Sequence, residues 1–189
     1  EMEDLVNAAV IRKNGHKASE KRLHGDVTLS VQEQEQAAQV KKVLDENLFT
    51  YHFQPIVSAK DGSIVAYEAL MRAQVQPGIS PINIIKYASH LERLYDVERA
   101  TFFNILQLVD EHENEFAGRK IFINSIPGSQ LSGEEAQMLE KKLTKHANRV
   151  VVELTEQTEA DDKTLADMKS GYEKLGIETA VDDYGTCLL

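Results

Sequence analysis

The chain has little of what several functions need. It has one cysteine in 189 residues, Cys187, so no intrachain disulfide is available. That fits a reducing compartment, and a cytoplasmic location is expected. No run of 18 or more apolar residues occurs, so no transmembrane helix is expected within the chain. There is no signal-peptide pattern, no internal repeat and no low-complexity tract. Positive charge is in deficit: 21 Lys and Arg face 31 Asp and Glu, a net charge of −10. This argues against nucleic-acid polymers and anionic membranes as partners. It leaves room for a small phosphorylated ligand, because a bound metal can supply the positive charge locally. The six histidines are scattered without ligand spacing, and Cys187 has no histidine near it in sequence to activate it.

What is present is a repeated pattern. Four short apolar runs rich in β-branched residues each end in an oxygen-bearing side chain: Ser63–Glu68, Lys120–Asn124, Arg149–Glu153 and Ile177–Asp183. Stretches of helical periodicity separate them, the βα alternation of a parallel sheet. In an α/β barrel all strand C-termini open onto one face, where active sites are built. Glu68, Asn124, Glu153 and Asp182 then converge. Three carboxylates and an amide oxygen suit a hard cation such as Mg²⁺, Mn²⁺ or Ca²⁺.

The punctuation agrees. Phe49–Val57 reads as a strand that Pro55 places at an edge or an irregular position. Lys60-Asp61-Gly62 is a hairpin turn leading into the next strand, so an antiparallel strand is expected ahead of the parallel ones. Ser80-Pro81 starts a helix as N-cap and first helical residue. Further helices are expected over about 96–116, stopped by Gly118, over 133–146, and over 163–175, closed by Gly176. Ser30–Asn47 reads as a connecting helix with one weakly apolar face, and residues 1–35 as a helical linker or the end of an upstream domain.

At this level five segments in order, Phe53-Gln54-Pro55-Ile56-Val57, Tyr67-Glu68-Ala69-Leu70-Met71-Arg72, Phe122-Ile123-Asn124-Ser125, Glu153-Leu154-Thr155-Glu156 and Asp182-Asp183-Tyr184-Gly185-Thr186, resemble the EAL domains. The resemblance covers about residues 36–186. It implies a (β/α)8 barrel that hydrolyses cyclic di-GMP to pGpG with two Mg²⁺ or Mn²⁺ ions. It implies that Glu68, Asn124, Glu153 and Asp182 hold the first metal and Asp183 the second, and that Gln54, Leu70 and Arg72 contact the nucleotide. Two cations a few Å apart activate a water and stabilise the leaving oxygen of an in-line displacement. Glu156 is expected to support the site or begin a helix, and His52 to pack or face solvent. Leu5–Gly15 loosely resembles the last helix of a GGDEF domain.

A complete barrel needs roughly 250 residues. The expectation is therefore a partial (β/α)8 barrel: an antiparallel strand, about four barrel strands, and no catalytic lysine of the family to assign. A portion of this kind, residues 36–189, is expected to be inactive alone and to be completed by a homodimer or another intermolecular pairing. The alternatives are a cyclic di-GMP receptor that binds without cleaving, or a protein-interaction module.

Overall fold

The computed structural model describes residues 30–155 and 162–182, with only the backbone course given at Thr155, Asp162 and Asp182. The expectations for Leu5–Gly15, Glu156, Asp183, Gly185 and Cys187 fall outside these residues. The chain divides into two compact units, Glu1–Glu35 and Gln36–Leu189.

Helix α1 (Val31–Glu46) opens on a reciprocal cap. Ser30 N and Oγ each donate to Glu33 Oε2 at 2.9 Å, and Glu33 N donates back to Ser30 Oγ at 3.3 Å. Asn47 ends the helix at φ 49°, and Leu48 N reaches back to Val43 O. Strands β1 (Phe49–Val57) and β2 (Ile64–Ala73) then pair antiparallel. Helices α2 (Pro81–His90), α3 (Leu94–Glu111) and α4 (Glu113–Phe116) lead to β3 (Lys120–Ser125). Helix α5 (Gly133–Lys145), β4 (Val150–Thr155), α6 (Asp162–Lys174) and β5 (Glu178–Asp182) complete the described elements.

The strands form one sheet in the order β1-β2-β3-β4-β5, with β2 to β5 parallel. Alternation sorts its two faces. Ile121, Ile123, Val150, Val152 and Leu154 are buried against the helices, in a core that includes Phe102, Ile105, Leu106 and Val109 of α3. Phe116 of α4 packs edge-on to Phe53 and Tyr67, at centroid distances of 4.7 and 5.7 Å.

The helix expected over 96–116 is two helices, broken at His112, whose φ of −118° does not continue an α-helix. It is stopped by Ala117 as well as Gly118, both at positive φ. The strand expected to finish at Glu68 runs on to Ala73, because antiparallel pairing with β1 supports it where the parallel partner has ended. Glu68 is thus mid-strand in β2, yet one residue from the end of the β2–β3 ladder. In α5, Leu139 and Leu143 carry the buried face, and Met138 is exposed. Pro55 lies in edge strand β1, just before a register shift at Ile56/Val57. Gly176 closes α6 at φ 72°, with Ile177 N bonded to Tyr172 O.

Candidate functional site

Register brings the expected residues onto one face. Side chains of directly paired residues point the same way. Gln54 pairs with Glu68, Glu68 with Phe122, and Asn124 with Glu153. Ala180 pairs with Glu153, and Thr155 with Asp182. Two-residue steps along β2 add Leu70 and Arg72, and a two-residue step along β5 from Ala180 reaches Asp182. Gln54, Glu68, Leu70, Arg72, Asn124, Glu153 and Asp182 therefore occupy register positions on the face opposite the helices.

Asn124 Nδ2 donates to Glu68 Oε1 at 3.5 Å, the long limit for such a bond. The two groups lie side by side without being locked together. Glu68, Asn124, Glu153 and Arg72 are all half-buried, placed between core and solvent. Arg72 Nη1 donates to the Met71 carbonyl at 2.7 Å, which uses one of the five guanidinium donors. Among the described residues no group of three His, Cys, Asp or Glu is arranged to hold a metal. The expected ligand set also draws on the Asp182 side chain and on Asp183, which are not described.

The opposite end of this face carries an ion pair instead. Lys120 Nζ reaches both Glu178 oxygens at 2.5 and 2.6 Å. His52, paired with Leu70, is exposed.

Glu98 was missed from sequence. It is 1% exposed, on α3, and its carboxylate accepts from Ser125 Oγ at 2.6 Å and from Ile126 N at 2.8 Å. Burial pushes its carboxyl up to about 8, with the bonds from Ser125 and Ile126 opposing the rise. A signal existed: Leu94, Val97, Thr101, Ile105 and Val109 trace the core-facing stripe of α3, and Glu98 lies within it. Tyr172 of α6 sits beside Ser125 and Glu98, its phenol raised by burial first and by the Glu98 charge second.

Comparison with known proteins bears on this arrangement. The model of the EAL domain matches residues 34–188. The chain belongs to the EAL domain family. The probable cyclic di-GMP phosphodiesterase PdeB of Escherichia coli strain K12 is 30% identical over 141 residues, covering 71% of this chain and 27% of PdeB. Among solved structures, the S helix–GGDEF–EAL portion of Vibrio cholerae LapD bound to c-di-GMP matches with a TM-score of 0.67 at 17% identity, covering 82% of this chain and 39% of that one. Klebsiella pneumoniae BlrP1, in a manganese and cyclic di-GMP complex, matches with a TM-score of 0.60 at 20% identity, covering 74% and 36%. The chain spans about a quarter of the length of PdeB and less than half of these two structures. Its fold is that of part of an EAL barrel.

Proposed function

We propose that this EAL chain supplies the metal-holding strand ends and part of the nucleotide cradle of a cyclic di-GMP phosphodiesterase. The observation that carries the reading is the placement of Glu68, Asn124, Glu153 and Asp182 on one face near the ends of the three parallel ladders. Their oxygens are hard donors, and the 3.5 Å contact from Asn124 Nδ2 to Glu68 Oε1 brings the two side chains together, so that a turn of the amide offers its oxygen to an ion held by Glu68. This donor set fits Mg²⁺ or Mn²⁺, with Asp183 as the ligand proposed for a second ion. Such ions, when bound, activate water and stabilise the leaving oxygen at the phosphodiester. The chain's own part is to bind and orient. Arg72 offers its remaining N–H donors to a phosphate oxygen, while Gln54, paired with Glu68, and Leu70 flank the same position along the cradle. Cleavage to pGpG is proposed for the complete domain, and this portion alone is proposed to bind without turnover.

Residues 1–35 are proposed to be a helical linker or the end of an upstream domain, and the setting to be cytoplasmic. Among the described residues no helix is long and apolar enough to cross a membrane. Strand β5 has no partner on its outer side among the described strands, and we take pairing of this edge with a second copy as the way the sheet is completed.

Equilibrium dialysis of cyclic di-GMP against the chain, with and without Mn²⁺, tests the reading. Mn²⁺-dependent binding that Arg72→Ala weakens is expected. Binding that ignores both Mn²⁺ and Arg72 contradicts it.

A further inference from the structure

We propose that Glu98 is a positioning residue: from the helix side of the sheet it clamps the exit of β3 and so fixes where Asn124 presents its amide. The inference rests on the metal-site reading of Asn124 given above.

The ladder explains why a clamp is needed there. Parallel pairing of β2 with β3 ends at Ala69–Ile123, one residue before Asn124. On its other side Asn124 pairs with Glu153 of β4. The residue that presents the amide is thus supported by the ladder on one side only. Its side chain adds little, the contact to Glu68 being 3.5 Å long.

Glu98 supplies what the ladder does not. Adjacent strand residues point to opposite faces, so Ser125 faces the helices while Asn124 faces the site. The carboxylate of Glu98 takes Ser125 Oγ–H at 2.6 Å and Ile126 N–H at 2.8 Å. Those two bonds fix the backbone immediately beyond Asn124. The chain then turns at once: Ser129 N bonds Ile126 O at 3.1 Å across Pro127 and Gly128, with Gly128 at φ 84°, as a type II turn requires. Tyr172 brings α6 to the same point. An apolar side chain in place of Glu98 would avoid the cost of burying a carboxyl, but would leave Ser125 and Ile126 with two buried donors to satisfy elsewhere.

The test separates clamping from mere packing. Glu98→Met keeps the volume and removes both acceptors. Glu98→Gln keeps an acceptor for Ile126 N–H and a polar partner for Ser125 Oγ. The first readout needs no metal: the side-chain amide resonances of Asn124 in the ¹⁵N spectrum of the chain. They are expected to move or split in Glu98→Met and to stay in place in Glu98→Gln. The second readout is Mn²⁺ binding followed by the free-ion electron paramagnetic resonance signal. Glu98→Met is expected to weaken it by about 10- to 100-fold, the range for supporting groups around a metal, and Glu98→Gln to bind like the unaltered chain. Should Glu98→Met fail to fold, Glu98→Asp serves, since it withdraws the carboxylate by one methylene; it too is expected to move the Asn124 resonances. Asn124 resonances that stay in place while the Ile126 amide shifts would overturn the proposal. Failure of the unaltered chain to bind Mn²⁺ overturns the metal reading instead, and the Asn124 resonances still decide the role of Glu98.

Discussion

Asn124 and Glu68 stand 56 positions apart in sequence, and their side chains meet at 3.5 Å across two parallel strands. Neither belongs to the core. Each is held half-buried at the end of its β2–β3 or β3–β4 ladder, on the face that the helices leave open. Buried valines and isoleucines on the helix-facing side fix the register, and the register fixes the site. A slip of one residue would turn both groups into the helix layer.

The buried carboxyl of Glu98 makes stability depend on pH. Its folded pKa of about 8 lies above the ordinary value of 4.5, so the folded chain keeps a proton that the unfolded chain releases. This contribution destabilises the fold progressively as pH rises from about 4.5 to about 8, and is constant outside that window. Glu98→Gln cannot lose a proton. Urea melts at pH 5 and pH 8 are expected to show a smaller loss of stability for Glu98→Gln than for the unaltered chain. Equal losses would contradict the assignment.

The cap at Ser80 is a local matter. Its Oγ accepts from Asn83 N at 3.2 Å ahead of Pro81, the first residue of α2. Ser80→Ala is expected to lower stability by about 1 kcal/mol, measured as a shift of the urea midpoint at unchanged slope. Cyclic di-GMP binding should not change.

These two predictions mark what could and could not be read from the sequence. Ser80-Pro81, Gly176 and the Asp61-Gly62 turn depend on a few neighbouring residues, and local chemistry suffices to read them. The apolar runs of β3 and β4 are equally plain, because each is short, unbroken and rich in β-branched residues. The extent of β2 was not legible: Leu70 through Ala73 owe their strand to β1 alone, beyond the apolar run that marks the strand. The break of the long helix at His112 has no glycine or proline to announce it. Glu98 was visible only as a charge in an apolar stripe, and its meaning depends on Ser125 and Ile126, which the fold brings to it from 27 and 28 residues away.

The open edge of the sheet gives a prediction about assembly. Val181 of β5 is 53% exposed. Pairing of this edge with a second copy predicts a native mass of twice 21.2 kDa. A charge on an edge strand discourages such pairing, so Val181→Lys is expected to shift the protein toward monomer in native mass spectrometry. A monomer before and after the substitution would count against pairing between copies.

Mn²⁺ titration, with the free ion followed by electron paramagnetic resonance, is the most direct measurement of the central claim that the strand-end oxygens hold a divalent cation. Glu68→Gln and Asn124→Ala are compared with Glu178→Gln, which alters a carboxylate on the same face at the opposite end. The account predicts that the first two weaken Mn²⁺ binding more than about tenfold and that Glu178→Gln leaves it unchanged. Equal weakening by all three substitutions, or by none, would contradict it.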